Sequence, residues 1–408
     1  MRYGLRIGLI GILWLGIQWL ATAQVPELSS EARISLITIF PGDALYSAFG
    51  HSALRVYDPV LGIDYSYNYG TFNFEEEGFY LNFIRGNLNY FLSKTSFPRV
   101  FAWYTEVEKR SVVEQVLAFT PEEKQKLFEY LEWNYLPQHR YYRYDFFYDN
   151  CSTRIRDALE YVLEQQPAYR LSEDTRSSFR ALIAPYLRAR PLVHAGIDLV
   201  LGQPADRIAS TREQLFLPLK LMDAVAHTTA RDKRLLVSRT DTLFWNAEAS
   251  YMRSVPQWPT LLMWGIFIWV LTQVVLHWMR GEGGRLMRVD LFWLGGAGIV
   301  GWVLLGLWVG TSHEVAAKNW NLLWAWPSHV LVMIYLWRTA AKKNARWVQI
   351  YLTAVFFVSI LTLLSWSIIP QRLPDIAFPW ISLMALRAGW LRWGDYYKDS
   401  IPAVRVND

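Results

Sequence analysis

A single cysteine, Cys151, occurs among 408 residues, so no disulfide forms within the chain. Cysteine and histidine are nowhere grouped at metal-ligand spacing, so no zinc site is expected. Basic residues form no dense run: 41 Lys and Arg are interspersed with 36 Asp and Glu, and the net charge is only +5. Nucleic-acid binding needs a concentrated basic patch and is not expected. No internal repeat or low-complexity tract is evident, and nothing calls for a cofactor.

What the chain has instead is apolar and aromatic mass. Hydrophobic residues make up 52% and aromatics 16%, with 21 Trp weighted toward the C-terminus. From about Trp258 the composition changes. Apolar runs cover Pro259–Trp278, Leu291–Val309, Leu322–Trp337 and Val348–Ile369. Each approaches or exceeds the ~20 residues that cross a ~30 Å hydrocarbon core. Phe378–Leu391 is a fifth, weaker candidate because it is short and holds Arg387. The loop after the first run carries Arg280, Arg285 and Arg288, and the loop after the third carries Arg338, Lys342, Lys343 and Arg346. The alternate loops hold only Lys318 with Glu314, or Arg372 with Asp375. The positive-inside rule makes the first set cytoplasmic, so the first run enters from outside.

The N-terminus gives the same orientation independently. Arg2 and Arg6 precede the apolar run Ile7–Leu20, and Ala21-Thr22-Ala23 matches a small-residue cleavage site before Gln24. An uncleaved anchor helix is the other reading, and in both readings the chain beyond Gln24 is exported. The expected organisation is a signal peptide over 1–23, an exported domain over 24–250, a transmembrane domain of four to five helices over 258–392, and a cytoplasmic tail over 393–408.

The exported part reads as α+β. Arg33–Phe40 is rich in β-branched residues and suits a strand. His51–Tyr57 and Asp64–Tyr69 form an expected hairpin around Asp58-Pro59 and Leu61-Gly62. Glu108–Leu117 and Tyr141–Tyr148 are further strand candidates. Thr120-Pro121-Glu122-Glu123 is a capping-box helix start, with the helix ending near Tyr135 before Pro137. A second helix begins at Asn150 and Cys151, with Arg154, Ile155, Ala158, Leu159 and Val162 at helical spacing.

An unpaired cysteine in an oxidising compartment is a buried filler, half of an intermolecular bridge, or a reactive thiol. In the first turn of a helix it faces free backbone N–H groups and the positive end of the macrodipole, which favour thiolate. The same amides can hold an oxyanion. His51, on a strand, is the candidate general base, and a third polar group is needed to orient it. Asn68 is the choice here, with Asp64 also in reach and Asp149 and Asn150 close to the thiol. The plain alternatives are an inert buried thiol and a satisfied core histidine.

Three stretches carry a family resemblance: Phe49-Gly50-His51-Ser52-Ala53-Leu54-Arg55-Val56, Tyr67-Asn68-Tyr69-Gly70-Thr71-Phe72, and Tyr144-Asp145-Phe146-Phe147-Tyr148-Asp149-Asn150-Cys151-Ser152-Thr153-Arg154. Asp206 and Phe216-Leu217-Pro218 fit later parts, and Asn319-Trp320-Asn321-Leu322-Leu323-Trp324 with Pro327 extends the likeness into the membrane part. The order of His then Asn-Cys at a helix start resembles the circularly permuted NlpC-type papain-like fold. More closely, the chain resembles the Lnb-type lipoprotein N-acyltransferases of Bacteroidota. The resemblance implies a multi-pass protein of the bacterial inner membrane with its catalytic domain in the periplasm. Cys151 would take an acyl chain from a membrane phospholipid as a thioester, and a diacylglyceryl-cysteine lipoprotein would accept it on its α-amine. A membrane-anchored phospholipase or cysteine peptidase/amidase on the same scaffold is the alternative. A non-enzymatic sensor or transporter accessory is a third reading.

Asn150, Arg154 and Tyr148, which flank the thiol, are candidate substrate-binding residues. Arg154 and Arg156 could meet a phosphate head group, or Arg154 could simply pair with a nearby carboxylate. The aromatic run Tyr141–Tyr148 could line an acyl groove or pack as an ordinary strand. Trp258 and Trp264 fit an interfacial belt. His313, Glu314, Asn319, Asn321 and His329 gather near the outward ends of the second and third runs. They are read as a lipid-entry or docking surface, with His329 alternatively bonding a neighbouring helix.

Overall fold

The computed structural model describes residues 25–72, 78, 82, 85–87, 89–173, 176–249, 253–282, 288–339 and 345–397. The expected signal peptide and the end of the expected tail lie outside these residues, as do loop residues Arg285, Lys342 and Lys343.

Among the described residues seven strands form one antiparallel sheet: β1 Arg33–Ile39, β2 His51–Asp58, β3 Ile63–Thr71, β4 Asn89–Ser96, β5 Val112–Leu117, β6 Tyr141–Arg143 and β7 Val237–Phe244. Their spatial order is β6-β4-β3-β2-β1-β5-β7. The central strand β1, rich in β-branched residues, is buried along almost its whole length, and its neighbour β2 over most of its residues. The expected hairpin is β2 and β3, with Leu54 opposite Tyr67 and Tyr57 opposite Asp64. Period-two alternation puts Leu54, Val56, Tyr67 and Tyr69 on one face, where they join the main core.

Helices cover that face. α2, Pro121–Tyr135, comes after a short α1, Phe97–Ala102, and starts with the expected capping box. Glu123 N–H donates to Thr120 Oγ1 at 3.2 Å, and Thr120 N–H donates to Glu123 Oε2 at 2.8 Å. α3, Cys151–Leu163, sinks Ile155, Ala158, Leu159 and Val162 into the same core as Leu127 and Leu131 of α2. Each fully buried Leu, Ile or Val contributes about 1.5–3 kcal/mol, so the site is mounted on the most strongly held part of the domain.

Two strand expectations are corrected. Tyr141–Tyr148 is a strand only over Tyr141–Arg143. After it the Asp145 carboxylate accepts from the N–H groups of Phe147 and Tyr148 at 2.8 and 2.9 Å, turning the chain back so that Asp145 pairs with Asp149. The strand read as Glu108–Leu117 begins only at Val112, because Trp103–Val107 continues α1 as a π-helical turn and Lys109 takes a positive φ of 50°.

Further along the chain lie α4 Phe179–Leu187, α5 Pro191–Val200, the single turn α6 Thr211–Gln214, and α7 Pro218–His227, whose Leu221, Ala224 and Val225 join the main core. Buried Arg180 of α4 binds Asp206 through two nitrogens at 2.8 and 3.1 Å and reaches Asp198 at 3.2 Å.

The C-terminal part is helical: α8 Trp258–Met279, α9 Arg288–Gly310, α10 Ser328–Arg338, α11 Arg346–Leu364 and α12 Ala377–Trp393. Among the described residues, three of these, α8, α9 and α11, are long and apolar enough to cross a membrane. The third apolar run is shorter as a helix than Leu322–Trp337, because Trp320–Leu323 is a 3-10 turn and Pro327 delays the helix to Ser328. The fourth stops at Leu364, short of Ile369. In α12 the awkward charge of Arg387 is matched: its guanidinium meets Asp290 of α9 through two bonds of 2.7 Å, both side chains fully buried.

The sheet domain and the helical domain interlock. Asn319 Nδ2 donates to the carbonyls of Leu199 and Val200, and Asn321 Nδ2 donates to Leu199. Gln371 Nε2 reaches the Leu201 carbonyl at 3.1 Å, and Gly202 N–H donates to Val315 O at 2.8 Å. The loops that hold Asn319 and Gln371 are the two that the charge pattern assigns to the outer side.

Candidate active site

The N-terminus of α3 is built around Asn150. Its side-chain oxygen accepts from Ser152 N–H and Thr153 N–H at 2.9 and 3.0 Å, and Thr153 Oγ1 accepts from Asn150 N–H at 2.7 Å. The Asn150 amide nitrogen donates to the carbonyls of Phe146 and Phe216, both at 2.8 Å. Every polar atom of this buried side chain is therefore used inside the protein, so the structure places Asn150 as the cap that fixes the helix start. The cap also takes two of the first-turn amides expected to hold an oxyanion, and of that pair with Cys151 N–H it leaves the cysteine's own.

Cys151 is the first residue of α3 and is partly buried. Ser152, beside it, is fully buried, and its hydroxyl lies 3.1 Å from that of Ser52. Ser52 comes directly after His51 at the start of β2, so this hydroxyl pair locks the neighbours of both chemical groups together. On the other side Cys151 meets β3 at Gly70. A Cβ on Gly70 would lie 3.7 Å from Cys151 Cβ, and Gly70 has φ +89°, a conformation that favours glycine.

Burial pushes the Cys151 thiol up, but the facing His51 charge and hydrogen bond, the Ser52 backbone N–H and the Ser152 hydroxyl outweigh it. The net direction is below the ordinary thiol value, which favours the nucleophilic form.

Asn68 lies on the same face of the hairpin as His51. Its Oδ1 is 3.4 Å from His51 Nε2, and its amide nitrogen donates to Ser66 Oγ at 3.1 Å. The Ser66 contact turns the amide so that oxygen faces the imidazole. With Nε2 directed to Asn68, Nδ1 is the nitrogen left for the thiol proton. Asp64 is taken up elsewhere: it binds Arg55 through two bonds of 2.7 and 2.9 Å.

A cleft of ≈ 710 Å³ opens beside this constellation, lined by His51, Asn68, Gly70, Phe72 and Tyr104 among others. Cys151 does not line it and sits behind Gly70. Tyr104 comes from the π-helical turn, with its ring centroid 6.2 Å from that of His51. Burial holds its phenol well above the ordinary value, so it stays a neutral donor. Composition offered no signal for Tyr104, since π-turns have no strong sequence mark.

The other flanking residues point away. Arg154 clamps Asp149 with bonds of 2.5 and 2.6 Å, and its guanidinium lies 4.2 Å over the Tyr142 ring. Arg156 is buried and paired with Asp157. Tyr148 is exposed, packs its ring 5.7 Å from Phe179, and does not line the cleft. Tyr142 and Tyr144 pack on the main core, and Phe147 on a second one, so the aromatic run is packing. His329 is fully buried and bonds Trp324 O at 2.9 Å and Tyr351 at 2.7 Å, which makes it a helix-to-helix tie. Among the described residues no group of three or more His, Cys, Asp or Glu is arranged to hold a metal.

A sheet domain with a thiol facing an imidazole, interlocked with apolar helices, defines a membrane protein whose chemical groups lie outside the bilayer. Residues 18–184 match the family model of the Lnb N-terminal periplasmic domain, and residues 253–399 match that of the Lnb transmembrane domain. The chain belongs to the Lnb family, as an inner-membrane protein with a periplasmic N-terminal domain. That membership marks it as an enzyme of lipoprotein processing. No curated protein and no solved structure matches it.

Proposed function

We propose that the protein is a lipoprotein N-acyltransferase that works through a Cys151 thioester on a permuted papain-like scaffold. The observation that carries this reading is the contact of His51 with a thiol whose ionisation is favoured, at the head of a capped helix. His51 takes the Cys151 proton, and the thiolate attacks the ester carbonyl of a membrane phospholipid. The carbonyl oxygen gains negative charge beside Cys151 N–H, and the ester C–O bond then breaks. His51 returns its proton to the leaving lysophospholipid oxygen, and the acyl group stays on sulfur. The α-amine of a diacylglyceryl-cysteine lipoprotein attacks the thioester and gives its proton to His51; the C–S bond breaks as the N-acyl amide forms, and His51 passes that proton to the leaving sulfur. Asn68 holds the ring in the tautomer that both half-reactions need.

Both substrates are lipids, which supplies a reason for joining this domain to a multi-pass helical domain. Water must be kept from the thioester, or the product is free fatty acid.

The test is replacement of Cys151 by Ala and, separately, His51 by Ala in a strain with no redundant enzyme. N-terminal acylation of lipoproteins is then read by mass spectrometry. Diacyl lipoproteins are expected to accumulate in both strains, and unchanged triacyl lipoproteins in the Cys151→Ala strain would sink the proposal. Fatty acid released by purified enzyme in the presence of acceptor lipopeptide would favour the phospholipase reading.

A further inference from the structure

The mouth of the cleft carries an apolar lip that nothing among the described residues covers. Leu45 is 55% exposed, Tyr46 66%, Trp103 53% and Val107 61%. Single exposed apolar residues are ordinary, but Tyr46, Trp103 and Val107 line one cleft from two segments, and Leu45 adjoins Tyr46. Tyr46 OH donates to Glu108 Oε1 at 3.1 Å, and Trp103 Nε1 donates to the same oxygen at 3.0 Å. Arg110 closes the arrangement by binding the other Glu108 oxygen at 2.6 Å. The polar atoms of both aromatic residues are thus satisfied by Glu108 while much of their apolar surface stays exposed. This is the division of polar and apolar ends that suits a membrane interface.

The position of the lip supplies the partner. Arg190 donates to the carbonyls of Gly42 and Asp43, both at 2.7 Å, holding the segment that carries Leu45 and Tyr46. Arg190 directly precedes α5, an apolar helix whose Leu199 packs on the core of the helical domain. Ten residues of helix span about 15 Å, so the lip stands close to the membrane domain. Leu192 of α5, 62% exposed, extends the apolar surface between them. A second strut joins the domains: Ser312 N–H donates to Arg85 O at 3.0 Å, and His313 packs on Gly86. The sheet domain is therefore tied at two separate places to the outward loops of the helical domain.

We infer that Leu45, Tyr46, Trp103 and Val107 form a membrane-insertion surface whose partner is the outer leaflet of the bilayer that holds the helical domain. The lip dips below the head groups, so a lipid chain passes from the leaflet into the cleft without crossing water. The placement rests on the geometry alone, while its role in acyl delivery rests on the reading proposed above.

The test uses the full chain in vesicles of phosphatidylethanolamine and phosphatidylglycerol. Cys151→Ser removes the natural thiol, so a nitroxide can be attached at Val107→Cys or, as control, at Val60→Cys. Val60 is 63% exposed at the far end of the β2–β3 hairpin, about 25 Å along the strand from His51. The Val107 label should be reached by oxygen and shielded from a water-soluble nickel chelate, and the Val60 label should be open to the chelate. Equal chelate access at both positions overturns the inference. In the activity arm, Leu45→Asp with Val107→Asp should lower acyl transfer from vesicle phospholipid at least tenfold, with Cys151 alkylation as the check that the site has folded. Unchanged transfer in that variant overturns the delivery role. A shielded Val107 label, together with a wild-type protein that transfers no acyl group, supports the insertion surface and rejects the acyltransferase reading.

Discussion

Asn68 Oδ1 faces His51 Nε2 at 3.4 Å, and the orientation of its amide is set by Ser66 on the same strand face. In the proposed mechanism the relationship is one of positioning, with Asn68 acting through the imidazole. Asn68→Ala should lower kcat roughly a hundredfold, the lower end of what a placed general base contributes. KM for vesicle phospholipid should stay the same, and Asn68→Asp, which keeps an acceptor, should retain most of the rate. An Asn68→Ala enzyme with wild-type kcat would remove Asn68 from the site.

The lowered pKa of the Cys151 thiol makes a pH prediction with a definite sign. The thiolate is the reactive form, so alkylation of Cys151 by iodoacetamide should rise through a midpoint below that of an ordinary cysteine and be lost as pH falls through it. After burial, which acts the other way, the first cause is the charge of His51, so His51→Gln should move the midpoint upward. The pH profile of alkylation, read by mass spectrometry on the intact chain, decides this. An unmoved midpoint in His51→Gln separates the two residues.

Within the helical domain the buried pair of Asp290 and Arg387 sets up a double-variant test. Arg387→Leu alone leaves a buried carboxylate without its cation and should cost about 3–5 kcal/mol. Adding Asp290→Leu should recover most of that loss, because two charges out of water gain little over apolar contacts. Thermal unfolding of the detergent-solubilised protein reads both effects, and a double variant no more stable than the single one would show that the pair is not coupled.

Gly202 sits where the two domains touch. A Cβ there would lie 1.9 Å from the Ala317 carbonyl oxygen, and backbone, unlike a flexible side chain, cannot easily yield. Gly202→Ala should therefore destabilise the docked state by about 3 kcal/mol. Accelerated proteolysis between the domains and a lowered Tm are the expected readouts, and unchanged values of both would mean that the contact is dispensable.

Much of the site was legible as sequence. A capping residue before Cys151, with apolar residues at helical spacing after it, is enough to place the thiol in a first turn, because capping and amphipathicity are local. The hairpin was legible for the same reason, and it brought Asn68 of the return strand within reach of His51. Local rules misread Tyr141–Tyr148, where the Asp145 carboxylate competes with the ladder for backbone amides. They also missed β4 and β7, whose composition is too polar to stand out from loops.

By itself, then, the sequence determined the apolar helical part, the lone thiol and its helix start. Those arise from short windows of apolar length, charge and capping. Only the tertiary structure decided which polar groups are spent and which are available. Asn150 and Arg154 proved to be held by partners within the protein, and Asp64 by Arg55, while Tyr104 arrived at the cleft from a π-turn. Hydrogen bonds between distant segments, such as Ser52 with Ser152 across a sequence separation of 100, are formed by packing and leave no periodic trace in the chain.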